Sequence, residues 1–595
     1  MLFLGLAACS RGDETDNETK QDDQHDEATT ATESPGNVFS GDVDEFGSDD
    51  TDPAIDADPT IGNGISDNAT IDKNGGADEV DSTDETDEGE NLFGGNVGGQ
   101  APITEVPCPG TLMQTGVEAV TCALATVPLD RDDPAPGTID ISIAVWDGIE
   151  DHQKIDDLVT NSASGADAYQ DEVQALVPLV VLQGGPGGVS SELIGSYPRK
   201  PYKQIFIDQR GTGFGSESFD CFEVKDVASD ILAVRSSEAL RIELDAYEQC
   251  ADRLLANPAL VHTNTSNHAA DVIDVMTSLG YSQWCVYGIS YGTTIALEIL
   301  RSSPEGLRCI VLDGVYPPTL DYNVDSAFSV GRSFDKFHQA CVESITCSVL
   351  APDFRSMLQE LVNDTNAEPI LVSLDADDTS RHEPFEVLLD GDSLVNLLFL
   401  GMYNHNVGAQ LILLLAALSD DVEGNDLADS DKQFIEWALA AYVVEFSFSL
   451  EESINEGTYF ATTCADRLPF TSALPEDSVF FTEIVLGEGL SKACEPWDVP
   501  ASPTVAASPV ISDIPVLMLS GGLDPIAPPE FAQRVAQHLS NAILVEFVGL
   551  SHGIWPSSRC AGSIVTEFLQ QPNKTPDVTC VSESSPELWG LGVLG

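Results

Sequence analysis

The stretch Trp284-Cys285-Val286-Tyr287-Gly288-Ile289-Ser290-Tyr291-Gly292 indicates which fold the chain adopts. It opens with an apolar run suited to a buried strand, and residues 293–301 after it carry apolar side chains at helical spacing. A serine between two glycines at a strand-to-helix turn is typical of a nucleophile elbow, whose strained backbone exposes the hydroxyl group. The backbone N–H groups at the start of that helix would favour an oxyanion.

Segments typical of strands and helices alternate on both sides of this stretch. This alternation predicts an α/β fold with a mostly parallel central sheet and helices on both faces. The functional site is then expected at the carboxyl ends of the strands, where the glycine-rich loops begin. The predicted strands are 139–146, 176–182, 204–207, 284–287, 309–312, 515–519 and 542–547, and the predicted helices are 238–256, 266–280, 529–539 and 561–570. Ser266 or Asn267 is expected to cap the helix that ends at Gly280.

Residues 319–505 interrupt this alternation. Their pattern is mostly helical, at 335–345, 353–363, 393–418 and 431–450, which predicts an inserted helical cap domain. The chain is therefore divided into a signal segment at 1–9, a tether at 10–100, a core at 101–318, the cap at 319–505 and the rest of the core at 506–595.

Acidic residues dominate the composition, most strongly before residue 100. Residues 11–100 hold 27 acidic side chains against three basic ones and have few aromatic residues, so this segment is expected to be a disordered, self-repelling tether. The remaining residues hold 99 − 27 = 72 acidic and 25 − 3 = 22 basic side chains. This excess of negative charge argues against partners such as nucleic acid and anionic lipid.

The first nine residues, MLFLGLAAC, join an apolar run to small residues and a cysteine. This arrangement resembles a bacterial lipobox, in which Cys9 would become the lipidated first residue of an exported protein. No other stretch reaches the roughly 20 apolar residues of a membrane-spanning helix, so membrane attachment is expected only through Cys9.

Twelve further cysteines follow, and none of them forms a C-x-x-C pair, which argues against structural zinc. Cys285 and Cys309 lie inside apolar runs and are expected to be free thiols in the core. The other ten are expected to form local disulfides in an oxidising compartment. The pairs predicted from nearest neighbours are Cys108–Cys122, Cys221–Cys250, Cys341–Cys347, Cys464–Cys494 and Cys560–Cys580.

Three residues that follow predicted strands form a candidate catalytic triad. Ser290, Asp524 and His552 occur in the order of nucleophile, acid and base, each just after a strand end. An activated serine requires a base within hydrogen-bond reach and a carboxylate that orients the base. The N–H of Tyr291 and an N–H from the Gly184–Gly185 loop, assigned to Gly185, are the predicted oxyanion donors.

Six motifs together resemble one family. QGGPGG at 183, DQRGTGFG at 208, WCVYGISYG at 284, VLDGVYPP at 311, GGLDPIAP at 521 and GLSHG at 549 are similar to the proline iminopeptidase and tripeptidyl aminopeptidase branch of the α/β-hydrolases. The resemblance covers about residues 100–585, and it implies an α/β-hydrolase fold with a TAP-like C-terminal region. It also implies a secreted or surface exopeptidase that releases residues from the amino termini of peptides.

An aminopeptidase needs a carboxylate that holds the α-ammonium group of the peptide substrate. Asp466, in a segment that resembles the cysteine-and-acid segment of the family, is one candidate, and Glu445 and Glu451 are the others. A carboxylesterase of the same fold and a non-catalytic surface binding protein are the alternative functions. His262 and His268 are interpreted as surface or capping residues.

No cofactor is expected. The glycine-rich loops at 183–188 and 208–213 lack the lysine and the Ser/Thr of a phosphate-binding loop, so no nucleotide site is predicted, and no metal site is predicted either.

Overall fold

The computed structural model describes residues 101–113, 120–133, 135–147, 177–196, 202–375, 384–422, 428–473, 480–486 and 489–583. These residues do not include the predicted signal segment with Cys9, the tether at 10–100 or residues 148–176. Within the described residues the strands are β1 (Ile103–Val106), β2 (Val120–Pro128), β3 (Thr138–Trp146), β4 (Leu179–Leu182), β5 (Gln204–Ile207), β6 (Trp284–Ile289), β7 (Leu307–Asp313), β8 (Ile370–Leu374), β9 (Phe385–Leu389), β10 (Val516–Gly521) and β11 (Ala542–Phe547).

Nine of these strands form one sheet, in the order β1-β2-β3-β5-β4-β6-β7-β10-β11. The six strands from β5 to β11 in this order pair in parallel, whereas β1, β2 and β3 pair antiparallel at one edge. The prediction of an α/β fold with a mostly parallel sheet is confirmed. β1 and β2 were not among the predicted strands.

Helices connect the strands of the described chain and build the insertion between β7 and β10. They are α1 (Gly110–Met113), α2 (Phe222–Leu232), α3 (Ser236–Leu254), α4 (Thr265–Leu279), α5 (Tyr291–Ser302), α6 (Tyr322–Glu343), α7 (Ile345–Leu350), α8 (Phe354–Ala367), α9 (Gly391–Gly401), α10 (His405–Val422), α11 (Asp429–Ser453), α12 (Glu456–Asp466), α13 (Phe480–Leu486), α14 (Gly489–Cys494), α15 (Pro529–Ala536), α16 (Ile554–Ser557) and α17 (Arg559–Gln570).

Helices cover both faces of the sheet because successive side chains of a strand point to opposite faces. Val180 and Leu182 of β4 pack in one core with apolar residues of α3, α4 and α5. Leu179 and Val181 of the same strand pack in a second core with α17. Each buried Leu or Val contributes about 1.5–3 kcal/mol to the hydrophobic stabilisation of the sheet.

Helices α6 to α14 and the β8–β9 hairpin occupy the insertion between β7 and β10. The hairpin and the helices of the insertion other than α12 and α14 share an apolar core that also includes Leu523, Ile526 and Ala527, which flank Asp524 in the loop after β10. Helices α12 and α14 pack instead in the core that contains Val180 and Leu182. The hairpin was not predicted. Residues 391–422, expected to hold one helix at 393–418, instead form α9 and α10 with a break between Gly401 and His405. The described residues between 101 and 583 belong to one compact unit, and the boundaries at 318 and 505 stay predictions.

The start of α4 differs from its predicted capping. The side chain of Asn264 accepts a hydrogen bond from Asn267 N–H, so Asn264 is the N-cap, and the prediction of Ser266 or Asn267 was wrong by a few residues. Gly280 ends the helix in the left-handed conformation, as its position after the apolar pattern predicted.

Six disulfides are present among the described residues. Five of them are the predicted local pairs. The sixth joins Cys285 to Cys309, so the prediction of two free core thiols was wrong. The reason is the register of the sheet: Cys285 of β6 is directly opposite Cys309 of β7, with 4.8 Å between their Cα atoms.

A buried ion pair fixes the loop after β5. The guanidinium of Arg210 donates to both oxygens of Asp271 at 2.7 and 2.9 Å, and its remaining N–H groups donate to backbone carbonyls. Removing one partner of such a pair typically costs about 3–5 kcal/mol, because a charge is left buried without its counterion. This pair therefore anchors α4 to the loop that begins with Asp208.

None of the described helices combines the length and the apolar composition needed to cross a membrane.

The sixth disulfide yields a test of the sheet register. Because the Cys285–Cys309 bond closes a loop of 24 residues, the double variant Cys285→Ala/Cys309→Ala is expected to lose about 3 kcal/mol of unfolding free energy in urea denaturation. The matched control is Cys341→Ala/Cys347→Ala, whose loop of 6 residues predicts a smaller loss, about 2 kcal/mol.

Thiol titration tests the same bond in a protein that keeps Cys285 and Cys309, so the packing around them is unchanged. The full chain carrying Cys9→Ser, denatured in the absence of reductant, should contain no reactive thiol. Finding two would contradict the Cys285–Cys309 bond and restore the free-thiol prediction.

Candidate active site

Ser290 lies at the sharp turn between β6 and α5. Its backbone angles are φ 56° and ψ −125°, outside the range that a non-glycine residue readily adopts. The Ser290 N–H donates to the carbonyl of Asp313 at 2.9 Å, and the Thr293 side chain donates to the carbonyl of Ser290 at 2.6 Å. These bonds hold the serine in the conformation that the elbow motif predicted.

The glycines around Ser290 are required by close packing. A side-chain carbon at Gly288 would overlap the backbone of Gly292, and one at Gly292 would overlap the carbonyl of Leu182 at the end of β4. A side-chain carbon at Gly184 would lie 2.7 Å from Ser290 Cβ. The turn therefore fits only with glycine at these positions, and the loop after β4 lies directly against Ser290.

His552 and Asp524 are in direct contact. His552 Nδ1 lies 2.7 Å from Asp524 Oδ2, and the other carboxylate oxygen accepts N–H groups of Ile526 and Ala527 at 3.0 and 2.8 Å. Burial opposes the charge on each group, but their mutual attraction and hydrogen bonding outweigh it. The pKa of Asp524 is therefore lowered, and that of His552 is raised.

His552 Nε2 is buried and has no hydrogen-bond partner among the described residues. This is the nitrogen that a triad uses toward the serine, and such catalytic bonds often tighten only in the substrate complex. Both Ser290 and His552 lie next to the end of β7: the Ser290 N–H donates to the carbonyl of Asp313, and a side-chain carbon at Gly314 would lie 2.8 Å from His552 Cε1.

Asp313 is a second buried carboxylate beside the imidazole. It accepts the Tyr287 hydroxyl at 3.0 Å and the N–H groups of Ile554 and Trp555 at 2.8 Å each. Burial raises the pKa of Asp313, and its charge contributes to the raised pKa of His552. The motif VLDGV places Asp313 at a strand end, but it predicted no role for this residue.

The two predicted oxyanion donors, Gly185 and Tyr291, line the same cavity as Ser290. In the loop after β4, the Gly184 N–H donates to the Gln183 side chain and the Gly187 N–H donates to Gln209. Gly188 N–H donates to the Gly184 carbonyl. Among the amides of this loop that the structure describes, Gly185 N–H is left for a ligand.

Asp466 also lines this cavity, at the carboxyl end of α12. Its carboxylate accepts the Thr265 N–H at 2.8 Å and the Thr265 hydroxyl at 2.5 Å, and the Ser502 hydroxyl donates to the other oxygen. The Thr265 hydroxyl is in turn 2.8 Å from the hydroxyl of Tyr291. The carboxylate is thus held rigidly and connected to the residue that follows the nucleophile.

Arg467, next to Asp466, is the cationic residue of the cavity lining. Its guanidinium donates to the carbonyls of Pro317 and Pro318 and to the Thr294 hydroxyl, and it lies 5.0 Å from the ring of Tyr316. Within the described chain, neither Asp466 nor Arg467 has an oppositely charged side chain within 4.0 Å. The cavity therefore contains one carboxylate and one guanidinium without a direct ionic partner.

The other candidate residues lie elsewhere. Glu445 is exposed on α11 and is not part of the described cavity lining, and the side chain of Glu451 lies outside the described residues. His262 carries a carbonyl acceptor for Arg210. His268 is buried between Arg210 N–H and the Thr462 hydroxyl, and burial lowers its pKa to about 3, so it is neutral and structural.

The described residues contain one grouping with the ligand types of a metal site, Cys221, Glu223 and Cys250, whose ligand atoms lie within 4.8 Å of one another. The two sulfurs form a disulfide and are not thiolates, and Glu223 pairs with Arg253 at 2.6 Å. This grouping does not suit a metal ion.

The sequence is similar to those of known hydrolases and peptidases. Residues 481–580 match the family described as TAP-like protein. Serine protease Hip1 of Mycobacterium tuberculosis is 23% identical over 508 residues, covering 79% of this chain and 88% of that protein. Proline iminopeptidase of Neisseria meningitidis is 27% identical over 172 residues, covering 28% and 43% respectively.

Two further matches extend over most of the chain. Putative hydrolase YuaR of Escherichia coli is 22% identical over 68% of this chain and 79% of that protein. The crystal structure of proline iminopeptidase from Mycobacterium smegmatis aligns with 76% of this chain and 98% of that one, at 14% identity and a TM-score of 0.35. Together with the elbow, the His–Asp pair and the sheet topology, the family match and the sequence relatives lead to one conclusion: the chain is a serine hydrolase with an α/β fold, and it is similar to the TAP-like and proline iminopeptidase group of the α/β-hydrolases.

Proposed function

We propose that this protein is a serine aminopeptidase that cleaves short peptides from their free amino terminus through an acyl-enzyme on Ser290. The observation that carries the proposal is the position of Asp466, a carboxylate in the same cavity as the nucleophile. The peptidase assignment is further supported by the relatives, which include a serine protease and a proline iminopeptidase.

The proposed acylation step uses the triad in its usual roles. Ser290 Oγ attacks the carbonyl carbon of the peptide bond while His552 Nε2 accepts the hydroxyl proton, and Asp524 stabilises the imidazolium. The N–H groups of Gly185 and Tyr291 stabilise the oxyanion, each worth a few kcal/mol in the transition state. His552 then returns the proton to the leaving amine, and the shortened peptide departs.

Deacylation reverses these roles with water. His552 accepts a proton from the water that attacks the acyl carbon, and it then protonates Ser290 Oγ as the acyl–serine bond breaks. The released product carries the original amino terminus of the substrate.

The α-ammonium site is assigned to Asp466 on electrostatic grounds. A carboxylate has about four acceptor positions, and three of those of Asp466 are used by Thr265 and Ser502. A buried carboxylate without a cationic partner is costly, and an ammonium group at the remaining position would offset that cost. A substrate with a blocked amino group would leave the carboxylate unpaired, so it should be rejected.

The proposed location is the bacterial cell envelope, with a lipid anchor at Cys9. The lipobox-like sequence before Cys9 supports this proposal. The six disulfides of the described chain also support it, because such bonds form and persist in oxidising compartments.

A carboxylesterase would share the triad but would have no use for an ammonium site. The decisive experiment compares kcat/KM for a short peptide anilide with a free amino terminus and for its acetylated form. We expect about a 100-fold or greater preference for the free amine, the scale for a buried polar group left unpaired. In Asp466→Asn this preference should fall to near unity, and Glu445→Gln should retain the wild-type ratio.

Equal rates for the two peptides in the wild-type protein would contradict the ammonium site and favour the esterase. A non-catalytic binding protein would neither turn over substrate nor react at Ser290. Labelling with a fluorophosphonate probe that disappears in Ser290→Ala would exclude that alternative.

The pH dependence follows from the electrostatics of His552. Because the imidazole must be neutral to accept the serine proton and its pKa is raised, the acidic limb of kcat/KM should lie above pH 6.5. Asp313→Asn removes one of the charges that raise this pKa, so its limb should shift to lower pH. A pH–rate profile of both proteins tests this, and an unshifted limb in the variant would show that Asp313 does not act on His552 electrostatically.

A further inference from the structure

The side chain of Gln209 connects the loop after β5 to the glycine-rich loop at residues 183–188. Gln209 is buried, with 4% of its surface exposed, and follows the strand that pairs with β4 in parallel. Gln209 has no role in the triad mechanism, and the motif DQRGTGFG in which it lies predicted none for it.

The Gln209 amide bonds to four backbone groups of the glycine-rich loop. Its Nε2 lies 3.0 Å from the Gly184 carbonyl and 3.3 Å from the carbonyls of Gln183 and Gly188, so its two hydrogens are shared among three acceptors. Its Oε1 accepts the Gly187 N–H at 2.9 Å. One side chain therefore contacts the loop on both sides of Gly185.

These partners define the orientation of the amide. Three carbonyls face the –NH₂ end and one N–H faces the oxygen, so a flipped amide would oppose like groups at every contact. The bonds leave Gly185 N–H, the predicted oxyanion donor of the loop, unused, and Gly185 lines the cavity beside Ser290.

A loop with four glycines in six residues needs such external contacts to stay in one conformation. Glycine loses more conformational freedom on ordering than any other residue. Contacts with the cap supply part of the restraint, because Asn455 N–H donates to the Gly187 carbonyl at 3.0 Å. On the side of the sheet, the polar contacts that restrain the loop are the hydrogen bonds of the Gln209 side chain and the bond from Gln183 N–H to the Ser190 hydroxyl.

We propose that Gln209 is a positioning residue, which holds the glycine-rich loop so that Gly185 N–H points at the oxyanion formed on attack by Ser290. The proposal rests on the assignment of Ser290 as nucleophile and of Gly185 as oxyanion donor. It does not depend on the aminopeptidase specificity.

Gln209→Met tests the proposal, because methionine keeps the length of the side chain and removes all four hydrogen bonds. The matched control is Gln204→Met on β5, where the glutamine is equally buried and its Nε2 makes no hydrogen bond in the described chain. Both full-length variants are compared with the wild-type protein on p-nitrophenyl butyrate, a substrate without an amino group. Rates are normalised to the fraction of Ser290 labelled to completion by a fluorophosphonate.

We expect kcat per labelled serine to fall about 100-fold in Gln209→Met, since a misplaced oxyanion donor costs 10²–10³-fold in kcat. KM should change less than threefold, because the ground-state carbonyl depends little on this donor. The inhibition constant of butylboronic acid, whose tetrahedral adduct on Ser290 resembles the transition state, should rise by the same factor as kcat/KM falls. Gln204→Met should match the wild-type values.

Two results would overturn the proposal. A Gln209→Met protein whose kcat and boronate affinity stay within threefold of the wild type would show that the loop keeps its geometry without Gln209. An equal loss in Gln204→Met would show a general effect on the sheet. Failure of the wild-type protein to label at Ser290 would instead refute the nucleophile assignment, and the inference with it.

Discussion

The left-handed backbone at Ser290 is the constraint on which the rest of the site depends. Such a conformation typically costs about 1–3 kcal/mol and persists only when its surroundings over-determine it. Here the surroundings are the carbonyl of Asp313 on the neighbouring strand, the hydroxyl of Thr293 and the close approach of the loop after β4. Because Asp313 ends β7 and the glycine-rich loop follows β4, the two parallel neighbours of β6, the conformation of Ser290 depends on the order of the strands in the sheet.

The insertion contributes side chains to the cavity that Ser290 lines. Arg467 bonds to the carbonyls of residues 317 and 318, and Arg332 of α6 bonds to the Gly522 carbonyl and to Glu530, on either side of Asp524. Arg534 of α15 pairs with Asp325 of α6. The apolar core of the insertion continues into the loop of Asp524. These contacts connect the insertion, whose helix α12 lines the cavity beside Ser290, to the loop that holds Asp524.

Sequence patterns were informative where a function depends on local structure. Each motif of the site follows a strand end: the elbow, the glycine-rich loops and the loops that contain Asp524 and His552. Periodicity and motif order were therefore sufficient to predict the contact between Asp524 and His552. Contacts set by strand register were not predictable in this way. The Cys285–Cys309 bond arises because two strands adjacent in the sheet place these residues opposite each other. Similarly, that Asp466 of α12 lines the cavity with Ser290, whereas Glu445 of α11 is exposed, depends on how the helices of the insertion pack, which periodicity does not determine.

The buried carboxylates of the site share a mode of stabilisation that bears on its chemistry. Asp313 is held by two backbone N–H groups and a phenol, Asp466 by one N–H and two hydroxyls, and Asp524 by two N–H groups and His552. Neutral donors orient a carboxylate without cancelling its charge, whereas a paired Arg or Lys would do both. The chain has only 25 basic side chains against 99 acidic ones. The arginines named above, Arg332, Arg467 and Arg534, form their bonds with groups on other segments of the chain. The charges of Asp524 and Asp313 favour the imidazolium of His552. The charge of Asp466 would favour the substrate ammonium of the proposed function in the cavity that Asp466 lines.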